Sequence, residues 1–520
     1  MTARQAALAA GLLAVAVGAP SIRNGFVADD RWIIAERPLL QHPPSLGAVL
    51  QQPYWPAGFG GALWRPAVLA SYALDYRLGG SPQWFHAVNV VWAGLAAALL
   101  TLLACRLSDP VTGLVTGLLF AVHPVHVEAV ANVVGRAELM AATGYAAALL
   151  CALEVERRPV YVIGVALGAA FAIGCKELAA TLPAVVLLIY VGRGAGVRAA
   201  LRPAAAALLP ILGYYVIHEW VGAGVLSAGG TASGLERLGV LQRAWVMLPL
   251  SLQWWRLLLF PARLSADYSP GEYVVSTGLA LGHLIGALVW GAAGWAAWRW
   301  RKTIPGIAIG LAWMIVTVSP VANVVLPTEL LVAERTLYLP SFGIAFAVAS
   351  VGIALQWPAR RRIALLAIVL VAGATRSIAR TPVWHDDEAH FRALTRDAPH
   401  SYRTLWLVGK DEFQAGRWGS GERLLREAIG MAPAIVGPRF DLARFYWDAR
   451  LWGPAAGQLR AATAVDSGFV PAWTLLPQAL LAAGDTVGAR IAAREAVRLF
   501  PDEPEVVTRA TAVLAAARRR

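Results

Sequence analysis

Four short polar segments interrupt a chain that is otherwise largely apolar, and each carries side chains suited to proton or phosphate chemistry. The first is Asn24-Gly-Phe-Val-Ala-Asp-Asp-Arg-Trp, with Asp29 and Asp30 adjacent. Two carboxylates held side by side near a bilayer repel one another, which raises the pKa of one and suits a general base, or the pair binds a metal. The same dipeptide is also what a solvated, helix-capping turn looks like. The second segment runs from His123 through Leu139 and places His123, His126, Glu128, Arg136 and Glu138 within sixteen residues between apolar runs. Ionisable groups at membrane depth are costly and mark functional cavities, the alternative being a structural salt-bridge network between helix ends. His126 and Glu128 do not follow a familiar zinc spacing, so the metal requirement stays unknown, with a divalent ion left open. The third segment is Lys176-Glu177, placed between two apolar runs at the outer membrane edge, the alternative being a local ion pair at a tight turn. The fourth, Glu334-Arg335-Thr-Leu-Tyr338, offers a guanidinium beside a tyrosine, and arginine suits forked recognition of phosphate.

These segments need a membrane scaffold to position them. Of 520 residues, 58% are hydrophobic and only 15% charged, and the mean hydropathy is +0.56. That composition exceeds what one soluble core hides and excludes a soluble enzyme. Apolar runs lie near 5–20, 84–105, 111–123, 137–153, 159–175, 178–192, 203–218, 276–298, 303–320, 338–357 and 363–379, which predicts eleven spans. The first also reads as a signal peptide. A twelfth apolar stretch, 240–260, is broken by Arg243, Pro249 and Arg256 and is expected to lie in the interface.

The net charge of +13 does not point to nucleic acid, because the basic residues sit in short segments between apolar runs. Arg106, Arg157 and Arg158, Arg193 to Arg202, Arg299 to Lys302, and Arg360 to Arg362 fall in alternate loops, which predicts that these face the cytoplasm. Loops 21–83, 123–136, 219–275 and 320–337 and the C-terminal region are then extracytoplasmic, in an inner-membrane protein. All four polar segments fall on that face, so they are expected to converge on one outward cavity. Cys105, Cys151 and Cys175 lie in or beside apolar runs and form no disulfide framework.

After residue 380 the sequence changes character and repeats every 34 residues. Ala428, Ala462 and Ala496 fall in register, as do Val408, Leu442 and Leu476, and Pro433, Ser467 and Pro501, with a half repeat at Phe391, Leu394 and Pro399. This is the tetratricopeptide pattern of paired antiparallel helices. The fold class expected is all-α: a polytopic helical bundle over 1–380 and a tetratricopeptide α-solenoid over 381–520.

On these residues the sequence resembles the transmembrane and tetratricopeptide-repeat family. The matching positions are Asp29-Asp30, Trp64-Arg65-Pro66, Leu74-Asp75-Tyr76, Phe85-His86 with Val88-Asn89, His123-Pro-Val-His126-Val-Glu128, Gly135-Arg136-Ala-Glu138, Lys176-Glu177 and Glu334-Arg335 with Tyr338-Leu-Pro340. The resemblance implies a GT-C type membrane fold and O-mannosyltransferase activity, with a monosaccharide moved from a polyprenyl-phosphate donor to a hydroxyl on a protein or envelope glycan. The few repeats, and four asparagines of which none heads a glycosylation sequon, suit a bacterial relative. It implies a site in which Asp29, Asp30, Glu128 and Glu138 are the acidic candidates. Arg65, His123, His126, Arg136, Lys176, Glu177, Glu334, Arg335 and Tyr338 are the substrate-binding candidates. Phosphate leaves without a general acid, so the chemistry asks for a base, Asp29 or Asp30, and for cations such as Lys176 and Arg335. The repeats offer a concave surface for an acceptor. The rival readings are a non-catalytic membrane scaffold and a flippase or transporter, although a flippase is expected to line a path across the bilayer with polar groups.

Overall fold

The computed structural model describes residues 1–56, 63–221, 232, 234–273, 275–328 and 330–517. Helices and short turns make up its regular structure; among the described residues there is no strand, only an isolated bridge between Pro270 and Tyr273. Each of the eleven apolar runs is helical. Among the described residues seven helices are long and apolar enough to cross a membrane: Ala3–Arg23, Pro82–Leu107, Val133–Ala152, Val197–Trp220, Leu281–Trp300, Arg335–Ala354 and Ala359–Trp384. An eighth arises if Pro110–Ala121 and Pro124–Ala131, bent by 53°, are one span. Tyr161–Cys175, Glu177–Gly192 and Pro305–Val321 are apolar but shorter. This is the makeup of a multi-pass membrane protein. The stretch 240–260 forms two short helices, Val240–Leu250 and Leu252–Leu259.

Local chemistry sets these boundaries. Ser81 accepts the Trp84 N–H and precedes Pro82, so it caps the second long helix. Asp109 does the same for Pro110–Ala121 by accepting from Val111 and Thr112. That helix stops where His123 turns extended ahead of Pro124, a residue with no N–H to continue the ladder.

Burial ranks the helices by place in the bundle. Val133–Ala152 is 89% buried along its apolar window, whereas Leu281–Trp300 is 11% and Ala359–Trp384 is 6% buried, so the first is central and the last two are peripheral. The core around it includes Tyr145, Trp313, Phe342 and Phe346. Pro305–Val318 and Tyr338–Ala354 pack backbone to backbone at Gly310 and Gly343. A Cβ on Gly310 would stand 2.2 Å from the Gly343 carbonyl oxygen.

Beyond the last long helix, a turn at Thr381–Trp384 leads to Asp386, which caps the helix Asp387–Asp397 through the Ala389 N–H at 2.7 Å. Helix starts then recur every 34 residues, at Tyr402, Val436, Val470 and Pro504 and, between them, at Trp418, Trp452 and Thr486. Ala428, Ala462 and Ala496, the small residues in register, are fully buried where paired helices approach.

Candidate active site

The acidic loop follows the first helix, whose 3-10 end contains Pro20 and releases the chain at Asn24. Asp29 and Asp30 then part company. Asp30 is fully buried and accepts backbone N–H groups from Val27 (3.3 Å), Val133 (3.2 Å) and Val134 (2.8 Å). Burial pushes its carboxyl up to about 7, against the pull of those three N–H donors. The Val133 and Val134 amides belong to a tight turn, and a Cβ at Gly135 would come within 2.3 Å of the Ala129 carbonyl oxygen. Asp29 stays at a cavity, with its side chain 35% exposed.

Arg335 faces Asp29 across that cavity. Its Nη1 lies 3.3 Å from Glu128 Oε1 and 3.9 Å from Asp29 Oδ2, and its backbone N–H donates to Glu128 Oε2 at 2.9 Å. Glu334, its chain neighbour, points the other way. It accepts from the Tyr268 hydroxyl (2.6 Å) and the Ser265 N–H (2.7 Å), and burial pushes its carboxyl up to about 7. The cavity, partly open to solvent, has a volume of about 80 Å³. Asn132, Asp267 and His390 line it, and each holds a buried polar atom without a hydrogen-bond partner: Asn132 Oδ1, Asp267 Oδ2 and His390 Nδ1.

Two ion pairs, one buried and one part-buried, stand behind Arg335. Lys176 bonds Glu138, and Arg65 holds Glu177 in a fork at 3.0 and 2.8 Å while its guanidinium lies 4.6 Å from the centre of the Tyr54 ring. Glu138 and Tyr54 both act electrostatically on Arg335, and Arg65 and Arg335 on Lys176, so the four cation and carboxylate groups form one charged network. Chain neighbours therefore do not pair with one another: Lys176 pairs with Glu138 rather than Glu177, and Arg335 with Glu128 and Asp29 rather than Glu334. Consecutive side chains diverge from one another, and cross-element partners take their place.

The remaining expected residues lie elsewhere. Arg136 is fully buried in the bundle, where it bonds Asp75, Asn89 Oδ1 (2.7 Å) and the Phe85 carbonyl (2.8 Å) and lies over the Tyr72 ring. His123, His126 and Tyr338 line a second, mostly apolar cleft with Ala14, Val17 and Phe120. There the His123 ring meets the Leu258 carbonyl at 3.0 Å and the His126 ring meets Ser341 Oγ at 2.8 Å. Convergence on one cavity thus holds for Asp29, Glu128 and Arg335, with Glu138, Lys176, Arg65 and Glu177 behind them. Among the described residues no group of three or more His, Cys, Asp or Glu side chains is arranged to hold a metal ion. Sequence reasoning missed Asp267 and Tyr268, whose polarity in the loop that follows the two short helices was a usable signal. It also missed Trp384, His390 and Arg403, which line the cavity from the C-terminal region and carry no local signal.

Mouse protein O-mannosyl-transferase TMTC3 is 24% identical over 528 residues, covering 91% of this chain and 55% of that protein. Mouse TMTC4 is 26% identical over 478 residues, covering 78% and 64%, and mouse TMTC1 is 39% identical over 144 residues, covering 26% and 15%. The TMTC protein O-mannosyl-transferases are homologues of this chain. It spans less than two thirds of the length of these curated relatives. No family model matches the sequence. The Archaeoglobus fulgidus oligosaccharyltransferase superposes with a TM-score of 0.42 at 12% identity, covering 78% of this chain and 59% of that one.

Proposed function

We propose that this chain is a GT-C type membrane glycosyltransferase that moves a monosaccharide, mannose in the first instance, from a polyprenyl-phosphate donor to a hydroxyl acceptor at the outer face of the cytoplasmic membrane. The observation that carries this reading is the Asp29, Glu128 and Arg335 cluster: a partly exposed carboxylate and a guanidinium at one cavity, next to acceptor atoms left without partners. The relationship to the TMTC protein O-mannosyl-transferases supports the reaction class.

In this reading Asp29 is the base and Asp30 the residue that anchors its loop. Asp29 takes the proton of the acceptor hydroxyl as that oxygen bonds to the anomeric carbon. The bond from that carbon to the phosphate oxygen breaks, and lipid phosphate leaves with the electron pair; a single displacement inverts the carbon. Arg335, whose 3.9 Å approach to Asp29 is loose, offers its fork to the phosphate, and Lys176 and Arg65 add positive charge behind it. Asn132 Oδ1 and Asp267 Oδ2 suit the hydroxyls of a sugar ring, since both accept hydrogen bonds. The helical hairpins after 381 read as tetratricopeptide repeats that present a protein or glycan acceptor. Purified protein in vesicles, given polyprenyl-phosphate mannose and a serine- and threonine-rich peptide, is expected to release polyprenyl phosphate and yield a mannosylated peptide. Asp29→Asn should slow this about a hundredfold or more. Full activity in that variant removes Asp29 as the base, and no transfer by the wild type removes the reaction class.

A further inference from the structure

The loop that carries Asp29 is gripped from two directions. On one side the Val133 and Val134 amides hold Asp30. On the other side stands Asp387, the first residue of the helix that opens the C-terminal region. Its Oδ1 accepts the Ala28 N–H at 3.1 Å, and its Oδ2 accepts from Arg31 Nη1 at 2.6 Å, so one carboxylate brackets the Asp29-Asp30 pair. Two residues earlier the His385 carbonyl accepts the Gly25 N–H at 2.8 Å. Ala28 itself has φ +50, a left-handed backbone that an alanine keeps only when its surroundings hold it there.

An isolated ion pair between half-exposed side chains such as Arg31 and Asp387 adds little to stability. What distinguishes this one is direction: it fixes the backbone immediately before Asp29. We propose that Asp387 is a positioning residue, which holds the Ala28 turn so that the Asp29 carboxylate stays in the cavity opposite Arg335. The C-terminal hairpins thereby govern the geometry of the acidic loop as well as whatever they dock. This inference rests on the transferase reading for its catalytic consequence, but the grip on the loop has a readout of its own.

The test uses the full-length protein in detergent or vesicles. Asp387→Ala should lower kcat about tenfold or more with KM for polyprenyl-phosphate mannose nearly unchanged, whereas Asp387→Asn, which keeps a carbonyl for the Ala28 N–H, should recover most of the loss. Asp387→Ala added to Asp29→Asn should cost nothing further, because it acts through Asp29; a purely structural role would make the two losses add. Hydrogen exchange of the amides at 27–31 should speed up about tenfold in Asp387→Ala. Additive losses, or unchanged exchange, overturn the proposal. Should the wild type transfer no sugar, the transferase reading falls, while faster exchange still supports and unchanged exchange still overturns the hold of Asp387 on the loop.

Discussion

Asp30 keeps its proton until about pH 7, because burial disfavours the carboxylate more than three backbone N–H groups favour it. In the unfolded chain the same group ionises near its ordinary value of 3.8. Its folded pKa is therefore raised, so its contribution to stability is complete below about pH 4 and is lost as the pH rises through about 7. Glu334, raised from 4.5 to about 7, works in the same direction. The Tm of the detergent-purified protein should fall between pH 4.5 and pH 8. Asp30→Asn and Glu334→Gln should each flatten that slope, and a slope unchanged in both variants would show that neither carboxyl is protonated in the fold. Arg335 makes a separate residue-scale case. Arg335→Lys keeps the charge but loses the fork, and one charge-assisted contact is worth roughly 1.5–3 kcal/mol, so affinity for polyprenyl phosphate should drop by about tenfold to a hundredfold. If Arg335 serves only to hold Glu128 and Asp29, Arg335→Lys lowers Tm and leaves lipid affinity where it was; measuring both on one preparation separates the two roles.

At the scale of elements, the turn from Asn132 to Gly135 supplies the amides that receive Asp30, and the lack of a Cβ at Gly135 lets it close on Ala129. Gly135→Ala puts a methyl against backbone, which cannot give way as a flexible side chain can. A cost of about 1–3 kcal/mol is expected, with the loop displaced as well. Loss of transfer in Gly135→Ala should therefore accompany a lower Tm; an unchanged Tm would mean the turn has room that the glycine contacts deny. The helices of this architecture were legible because each apolar run is long and its ends carry readable stops, as at Ser81-Pro82 and His123-Pro124. Partner choice was not legible. Nothing in the spacing of Lys176 and Glu177 says that one turns to Glu138 and the other to Arg65, since both contacts depend on how distant helices pack. The same holds for the His123 and His126 rings, which sequence proximity grouped with Glu128 but which the bend at Pro124 carries into a different cleft.

For the whole molecule, the proposed orientation makes a simple forecast. Arg360 to Arg362 and the basic loops that alternate with it should be cytoplasmic, and everything after about residue 381 extracytoplasmic. Single cysteines introduced at Arg361 and at the exposed Arg460 should react differently with a membrane-impermeant thiol reagent applied to intact spheroplasts, the second being labelled and the first protected. The opposite pattern would turn the cavity toward the cytoplasm and remove the proposed acceptor side. The scale of the molecule also explains why Trp384, His390 and Arg403 escaped notice. They belong to the repeat region by sequence, and only the return of the chain over the loops that carry Asp29 and Asp267 brings them to the cavity.

That return has a consequence for how the protein is made. The hydrogen bond from Ala28 to Asp387 joins residues 359 positions apart. At a synthesis rate of about 5–20 residues per second, the acidic loop waits on the order of 20–70 s after it leaves the ribosome before its far partner exists. Throughout that interval the Ala28 turn has no Asp387 carboxylate to hold it. In the proposed transferase, a chain that has not yet reached Asp387 would lack this hold on the acidic loop, so the loop would take its final geometry only when translation has passed the last long helix.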